Sequence, residues 1–433
     1  MIDIQFIRDN PELVQEKSRQ KGYDVDVAEL LHADEKRRAL VADVEALRQQ
    51  RNENADKMKQ GGKPDMSLIE EGKRIKAELG DLEDRLAKVE EQHAALLDAV
   101  PNMPLDDVPV GASEEENVVT KQAGERLEYD FEPKQHWELF AAKDLMDKER
   151  AAKVSGSRFV YLKGALVRMQ FALVQFVMNT LTDERVLERI IEQNGLQVRA
   201  KPFTPILPPA MLRTEPYQAA ARLNAEETTY KMADDDLWLN ASAEHTLCNM
   251  YWNEILSEDQ LPIRYLGYST SFRREAGTYG KDTEGIFRMH QFDKLEMEVF
   301  STPETGLDEH KLQVAIQEYL VQQLGLPYQV LQKCTFDIGK PNARGIDIEC
   351  WFPAQGKYRE THTADYITDY QARRLKTRVR RGDGQIEFVH TNDATAFAMG
   401  RTLAAIAENY QTKDGHIIVP EVLRPYMGGQ SEI

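Results

Sequence analysis

The sequence predicts an α+β fold, in which a long helical hairpin precedes a domain built on a mostly antiparallel β-sheet. Two observations predict it. Between about residues 33 and 99, apolar residues recur at spacings of three and four, which is typical of paired helices. Two segments rich in aromatic and branched residues, 265–272 and 286–300, flank a loop rich in glycine and aspartate, which indicates an antiparallel β-hairpin whose second strand begins at Ile286.

The composition is that of a globular protein with many charged residues. The 433 residues are enough for two or three domains, and the formal net charge is -18. Such a charge argues against a generally basic surface, so a nucleic-acid partner requires a local basic patch. Three cysteines without C-x-x-C spacing indicate neither a zinc site nor a disulfide framework, and they favour a cytoplasmic location. The most apolar stretch, 165–181, contains Arg168 and two glutamines, so no contact with a membrane is expected.

The helical segment predicts an antiparallel coiled-coil arm, because a Gly-Gly-Lys-Pro-Asp break at residues 61–65 separates two heptad patterns. Helices of roughly 27 and 34 residues at ~1.5 Å per residue correspond to about 40 and 50 Å. The expected seam consists of Leu40, Val44, Leu47, Arg51, Asn54 and Met58 in the first helix, and Ile75, Leu79, Leu82, Leu86, Val89, His93 and Leu96 in the second.

Basic residues outnumber acidic ones near the tip of this arm, which favours contact with phosphate groups. A spacer or a protein-interaction element is the alternative for any coiled coil, and the pattern alone leaves it open. The candidate RNA-contacting residues are Arg48, Arg51, Lys57, Lys59 and Lys63.

The predicted β-hairpin has the chemistry of a nucleotide site. Its sequence, FRREAGTYGKDTEGIFRMHQFDKLEMEVF at residues 272–300, combines arginines, carboxylates and an aromatic ring. Guanidinium groups suit phosphates, a ring suits stacking on a base, and a carboxylate accepts from an exocyclic amine. Mixed charges on a solvated sheet face are the alternative.

Sequence strings favour the nucleotide site over a solvated sheet face. FRREAGTYGKDTEG followed by RMHQFDKLE closely resembles motif 2 of the seryl-tRNA synthetases, which are class II enzymes. KPFTPILPPAMLRTEP is similar to motif 1, which forms the dimer interface in the family, and GRTLAAIAENYQ is similar to motif 3. RQQRNENADKM and PNMPLDDVPVG are similar to the family's tRNA-binding arm. The resemblance implies a tRNA-binding arm at residues 1–105 and a class II catalytic domain at 106–433.

The resemblance also implies an ATP site. Arg273 would bridge the α-phosphate and the substrate carboxylate, and Arg401 would hold the γ-phosphate, so these two arginines are the expected catalytic pair. Glu275 would accept from the adenine amine, Phe292 would stack on the ring, and Arg288 would reach the γ-phosphate.

Two further groups of residues complete the expected site. Glu360 and Thr363, within KYRETHTADYITDYQARR, would bind ATP together with Mg²⁺, which takes few protein ligands beside phosphates. The residues expected to bind serine are Ser242, Glu244, Arg273, Glu296 and Thr395, with Glu296 on the ammonium group.

The amino-acid pocket departs from the family pattern. Residues 362–366, His-Thr-Ala-Asp-Tyr, replace the usual Ser-Ser-x-Ser-Asn, and residues 392–395, Asn-Asp-Ala-Thr, replace Leu-Asn-Gly-Ser. Asp393 thus puts an acceptor that carries charge in place of an amide. A diverged paralogue with altered selectivity for small amino acids or inhibitors is therefore an alternative to a serine enzyme.

The expected activity is ATP-dependent formation of seryl-adenylate, followed by transfer of serine to serine tRNA and, as a second acceptor, selenocysteine tRNA. The expected partners are L-serine, serine tRNA and a second copy of the chain in a homodimer. A non-catalytic RNA-binding or regulatory protein is the alternative from another class. Retention of Arg273, Glu275, Glu360 and Arg401 argues against it.

Overall fold

The structure is a computed structural model that describes residues 1–60, 65–223, 229–275 and 284–433. Lys63 and most of the predicted hairpin loop, residues 276–283, lie outside the described residues. The chain divides into two compact units, Met1–Met103 and Pro104–Ile433. Among the helices of the described ranges, none combines the length and the apolar character needed to cross a bilayer.

The first unit is helical. Contacts between Asp34 and His93, and between Asn54 and Leu68, join the start of one long helix to the end of the other. The two long helices are therefore antiparallel, and the predicted arm is confirmed. The helices are α1 Ile4–Asp9, α2 Pro11–Gln20, α3 Val27–Gln60 and α4 Met66–Ala99.

The first long helix starts earlier than the heptad pattern indicates. Asp26 caps it, because its Oδ1 accepts from the Glu29 amide at 2.8 Å, and the following Val27 and Leu30 are buried. The helix consequently has 34 residues, not about 27. Val44 and Ile75 of the predicted seam are buried, whereas Arg51 is exposed.

The second unit is built on an eight-stranded sheet with the order β1-β10-β11-β12-β15-β9-β8-β4. Every neighbouring pair is antiparallel except β4 and β8, so the prediction of a mostly antiparallel sheet is confirmed. The strands are β1 Val118–Ala123, β2 Met146–Asp147, β3 Tyr161–Leu162, β4 Thr204–Ile206, β5 Met211–Leu212, β6 Trp238–Leu239, β7 Ile255–Ser257, β8 Ile263–Phe272, β9 Gln291–Ser301, β10 Tyr328–Gln332, β11 Arg344–Phe352, β12 Lys357–Thr368, β13 Arg378–Arg380, β14 Ile386–Phe388 and β15 His390–Ala398.

Helices cover this sheet and share one apolar core with it. Helices α11 and α13 pack against the sheet, and α7 packs against α13. The helices are α5 His136–Ala142, α6 Lys148–Ser155, α7 Ala165–Leu181, α8 Glu184–Gln193, α9 Thr214–Ala219, α10 Glu244–Leu247, α11 Gly306–Gln323, α12 Tyr370–Leu375 and α13 Met399–Asn409.

The predicted hairpin corresponds to β8 and β9, which pair in register from Ile263 opposite Phe300 to Phe272 opposite Gln291. The prediction that the second strand begins at Ile286 is wrong by five residues. Residues 286–290 follow an irregular path because the His290 amide donates to the Arg158 carbonyl at 3.1 Å, outside any strand. This segment forms one wall of the cleft described next.

Candidate active site

A cleft with an empty volume of about 610 Å³ lies where β8, β9, β12 and the β15–α13 junction meet. Polar side chains from all of these elements enter it, and so does the wall segment 286–289. The structure brings together in this cleft all seven residues that the sequence assigned to ATP, and Thr395 from the serine set. These residues are Arg273, Glu275, Arg288, Phe292, Glu360, Thr363, Thr395 and Arg401.

Arg273 and Phe292 lie side by side in the cleft. Arg273 follows the last residue of β8, and the centre of its guanidinium is 5.2 Å from the centroid of the Phe292 ring on β9. Its Nε donates to the Ala241 carbonyl at 3.3 Å. The ring and the carbonyl together fix the direction of the guanidinium before any ligand binds.

Glu275 and Arg288 face each other. Arg288 Nη1 donates to Glu275 Oε2 at 3.0 Å. Glu275 has a φ of 51°, a left-handed conformation that few residues with a Cβ adopt, and Arg158 Nη1 donates to its carbonyl at 3.3 Å. The backbone at Glu275 is thus held at the point where the chain leaves the sheet.

Arg401 and Glu360 meet across the cleft. Arg401 Nη1 donates to Glu360 Oε1 at 2.7 Å and to the Glu360 carbonyl at 3.0 Å. Desolvation opposes ionisation, but the charges of Arg401 and Lys333 lower the pKa of Glu360 to about 2. Glu360 is therefore a carboxylate throughout the neutral range.

Gly400 allows the start of α13 to approach the cleft wall closely. A Cβ at this position would lie 2.3 Å from the Ile286 carbonyl oxygen. A second contact holds the same wall residue: the Ile286 amide donates to His136 Nε2 at 3.3 Å, and His136 Nδ1 lies 2.9 Å from Glu408 Oε1. Because Nε2 accepts, Nδ1 carries the proton that is donated to Glu408. The wall next to Arg401 is thereby fixed on both sides.

Glu360 and Thr363 have the donor atoms of a magnesium site. Both side chains line the cleft, and Thr363 Oγ1 is shielded from solvent without a hydrogen-bond partner among the described residues. A carboxylate and an unsatisfied hydroxyl oxygen are hard ligands of the kind that Mg²⁺ takes when phosphates complete its coordination. The residues present therefore fit the ion.

Ser242 and Glu296, which are expected to bind serine, both contact Lys294 beside the cleft. Lys294 Nζ donates to Ser242 Oγ at 3.2 Å and forms a 2.5 Å ion pair with Glu296. Glu296 is fully buried, and burial raises the pKa of its carboxyl to about 7, against the effect of Lys294. Lys294 itself lines the cleft, so it connects the two parts of the site.

Glu244 reaches this group of residues from the short helix α10. The helix lies on the sheet at Gly267, where a Cβ would be 2.7 Å from Leu247 Cδ1 and 3.1 Å from Ala243 Cβ. Gly267 is the register partner of Glu296 in β9, so the absence of a side chain brings Glu244 over Glu296. Burial opposes it, but the charge of Arg222 and a hydrogen bond from His245 hold the pKa of Glu244 well below its usual range.

Sequence reasoning assigned no role to Lys294 and missed Arg222 entirely. Lys294 alternates with Phe292 and Glu296 along β9, a period-two signal that places all three on one strand face. Arg222 offers no such signal, because it lies outside any regular element. Its Nη2 nevertheless donates to Asp393 Oδ2 at 2.6 Å, and its Nε is 3.3 Å from Glu244 Oε1.

The altered segment 362–366 divides between two faces of β12. His362 packs against Phe397, and burial lowers its pKa to about 3, so it is neutral. The Tyr366 hydroxyl lies 2.7 Å from His390 Nδ1. Thr363 lines the cleft, and Asp365 is the register partner of Asp393. Two of the changes therefore concern the site, whereas His362 and Tyr366 belong to the packing around it.

The basic residues of the arm differ in their surroundings. Arg48 pairs with Glu83 at 2.7 Å and Lys59 with Asp56 at 3.1 Å. Within the described part of the arm, Arg51 and Lys57 form no ion pair and are exposed. Their charges are therefore the ones least neutralised by neighbouring side chains.

Two family models match the chain. Residues 1–104 match the seryl-tRNA synthetase N-terminal domain, and residues 228–410 match the class II tRNA synthetase core domain shared by the glycine, histidine, proline, serine and threonine enzymes.

Relatives match over the full length. The chain is 41% identical to a serine–tRNA ligase of Exiguobacterium sibiricum and 36% identical to one of Nitrosopumilus maritimus, with at least 99% of each chain covered. A crystal structure of seryl-tRNA synthetase from Pyrococcus horikoshii complexed with ATP superimposes with a TM-score of 0.87 at 37% identity, covering 100% of this chain and 99% of that one. A cytoplasmic serine–tRNA ligase from Naegleria fowleri in complex with AMP gives 0.84 at 29% identity, covering 100% and 98%. The chain belongs to the seryl-tRNA synthetase family of class II aminoacyl-tRNA synthetases.

Proposed function

We infer that this protein is a serine–tRNA ligase that uses ATP to activate serine and then charges serine tRNA. The inference rests on full-length relatives of that name and on the chemistry of the cleft. In the first step an oxygen of the serine carboxylate attacks the α-phosphorus of ATP, and the bond to pyrophosphate breaks. In the second step the terminal ribose hydroxyl of the tRNA attacks the seryl carbonyl, and AMP leaves.

Arg273 is the residue that carries this proposal. Its guanidinium lies beside the Phe292 ring in the cleft, which Lys294 of the amino-acid site also lines. A fork-shaped donor in that position contacts the α-phosphate and the serine carboxylate together, so it aligns the two reacting groups and neutralises their repulsion. Little covalent chemistry is required of the protein, and catalysis comes from positioning and charge.

The other cleft residues hold the remainder of ATP. Phe292 presents its ring to adenine, Glu275 accepts from the adenine amine, and Arg288 and Arg401 contact the γ-phosphate. Arg401 occupies the first turn of α13, where the helix N-terminus already favours an anion. A cation at that end has no benefit for the helix itself. Its placement is therefore consistent with phosphate binding.

Mg²⁺ would be held by Glu360 and Thr363. When bound, the ion neutralises phosphate charge and draws the phosphates into one geometry. Glu360 is suited to this task because Arg401 and Lys333 keep it ionised, and Thr363 because its hydroxyl oxygen has a free lone pair.

Serine would occupy the space that Lys294 borders. Glu244 and Glu296 offer two carboxylates for the ammonium group, and Ser242 and Thr395 offer hydroxyls for the side chain. Such charge pairs are strong where water is excluded, and both carboxylates are buried.

The arm would grip serine tRNA through Arg51 and Lys57, with smaller contributions from Arg48 and Lys59. Lys63 belongs to the same proposal on sequence alone. A homodimer is supported by an apolar groove lined by Leu207 and Met211, from the segment that resembles motif 1, and by Trp252. A cytoplasmic location is supported by three free cysteines, all buried.

The experiment that tests the function is ATP–pyrophosphate exchange with a panel of amino acids, followed by charging of serine tRNA. We expect exchange with serine to exceed that with alanine, threonine and cysteine. A higher exchange rate with one of these three would show that it, and not serine, is the substrate. No exchange with any amino acid would indicate a non-catalytic protein.

A further inference from the structure

A third carboxylate converges on the amino-acid site. Carboxylate oxygens of Glu244, Glu296 and Asp393 all lie within 4.8 Å of one another, and the three residues are buried. The proposed function assigns the first two to the serine ammonium group. It leaves Asp393 without a role, although an extra buried negative charge changes what the site accepts.

Arg222 contacts this third carboxylate directly. Nη2 of Arg222 is 2.6 Å from Asp393 Oδ2, while its Nε is 3.3 Å from Glu244 Oε1. The side chain is only 14% exposed. Burial acts against it, but the charges of Asp393 and Glu244 raise the pKa of Arg222 well above its usual value, so it is a cation.

Buried carboxyl groups around Asp393 require a nearby cation to balance their negative charge. Asp393 on β15 is in register with Glu298 on β9 and with Asp365 on β12, so three buried carboxyl groups occupy neighbouring strands. Burial and the nearby carboxylates raise the pKa of Glu298 well above its usual range. Burial raises the pKa of Asp393 as well, but its 2.6 Å contact with Arg222 opposes this. We assign the proton to Glu298, which has no hydrogen-bond partner within the described ranges, and the charge to Asp393.

We propose that Arg222 determines the specificity of the amino-acid site by neutralising Asp393, so that the site takes a small neutral side chain. This proposal rests on the proposed function, because it concerns the same amino-acid site. Without Arg222, Asp393 becomes an unpaired acceptor within 4.8 Å of the Glu244 and Glu296 carboxylates, in the site proposed to hold an amino acid of the size of serine. The site then favours an amino acid of the size of serine whose side chain is a cation.

The test compares pyrophosphate exchange with serine and with L-2,3-diaminopropionate, which has an amino group in place of the serine hydroxyl. Wild-type exchange with serine tests the proposed function by itself. In Arg222→Gln we expect the ratio of kcat/KM for diaminopropionate to that for serine to rise about tenfold or more, with an unchanged KM for ATP. In Asp393→Asn the guanidinium remains with Glu244 as its one carboxylate partner among the described residues, and we expect that ratio to fall below the wild-type value.

The double variant Arg222→Gln/Asp393→Asn closes the cycle. It replaces the charged pair by two amides that hydrogen-bond to each other, so it folds even where Arg222→Gln does not. We expect it to recover exchange with serine and to lose the gain for diaminopropionate. An unchanged ratio in all three variants, or a loss confined to the KM for ATP, would overturn the proposal while wild-type exchange with serine left the proposed function intact.

Discussion

Arg401 Nη1 lies 2.7 Å from Glu360 Oε1, so the residue proposed for the γ-phosphate and the residue proposed for Mg²⁺ neutralise each other in the free cleft. In the proposed mechanism, ATP and Mg²⁺ would replace this contact by two, one between Arg401 and phosphate and one between Glu360 and the ion. The pair thereby keeps both side chains ordered before substrate arrives.

Substitution of Glu360 tests this arrangement. Glu360→Gln keeps a hydrogen-bond acceptor for Arg401 but removes the charge, so we expect a higher Mg²⁺ requirement and a loss of roughly 100-fold in exchange rate. Glu349→Gln is the matched control, because Glu349 is the register partner of Glu360 on β11 and lines no part of the cleft. Equal Mg²⁺ requirements in the two variants would contradict a metal-binding role for Glu360.

The pKa of Glu296 gives the enzyme a pH dependence of defined sign. Burial raises it from 4.5 to about 7, so the protonated carboxyl below that pH is a poor partner for an ammonium group. We expect kcat/KM for serine to rise with pH through about 7, with no such inflection in KM for ATP. In Glu296→Gln the inflection disappears. In Glu244→Gln we expect lower activity and an inflection that persists but moves to lower pH, because the charge of Glu244 is one of the causes that raise the pKa of Glu296.

The same shift affects the stability of the free enzyme. Between pH 4.5 and about 7 the native state retains a proton on Glu296 that the unfolded chain has lost, so the stability contributed by this group decreases as pH rises across that window. Thermal melting of the wild type and of Glu296→Gln across these values measures it. If the melting temperature fell equally with pH in both proteins, groups other than Glu296 would be the cause.

The arm offers a matched set of charge reversals. Arg51→Glu and Lys57→Glu are expected to raise the KM for tRNA and to lower the salt dependence of binding by about one phosphate contact each. Arg48→Glu and Lys59→Glu are expected to have smaller effects, because Glu83 and Asp56 already neutralise those side chains. Pyrophosphate exchange remains unchanged in all four variants. A loss of exchange would show that the arm residues act on adenylate formation as well.

The sequence predicted the fold, and it also predicted residues that the structure brings together in one cleft. Period-two alternation places Phe292, Lys294 and Glu296 on one strand face, and the motif strings supply Arg273 and Arg401. The pairing of Arg222 with Asp393 could not be predicted from the sequence, because 171 residues separate them and no local pattern marks Arg222. The irregular path of residues 286–290 was equally hidden, because apolar residues that line a cleft wall have the composition of a strand.

An apolar groove in the motif 1 segment provides a test of the homodimer. Leu207 is 76% exposed, which is unusual for a large apolar side chain unless a partner covers it. We expect Leu207→Glu to shift the protein from dimer to monomer in light scattering after size exclusion. Leu127→Glu, at another exposed leucine, is expected to leave the mass unchanged. A monomeric wild type would contradict the dimer directly.

Substitutions at two glycines test the amino-acid part and the ATP part of the site independently. A methyl group at Gly267 meets Leu247 and Ala243 and displaces α10 with Glu244, so we expect Gly267→Ala to raise the KM for serine and leave that for ATP unchanged. A methyl group at Gly400 meets the Ile286 carbonyl at 2.3 Å and displaces Arg401 from the wall, so Gly400→Ala is expected to raise the KM for ATP.

The second effect should be the larger one, because a backbone carbonyl yields less readily than the end of a leucine side chain. Gly80→Ala is the control for the substitution itself, since a Cβ there meets nothing within 4 Å and Gly80 lies within α4. Replacing glycine by alanine in a helix is expected to stabilise the arm by up to about 1 kcal/mol without a change in either KM. If Gly267→Ala and Gly400→Ala raised both KM values alike, α10 and α13 would move as one body, and the two halves of the site would be mechanically coupled.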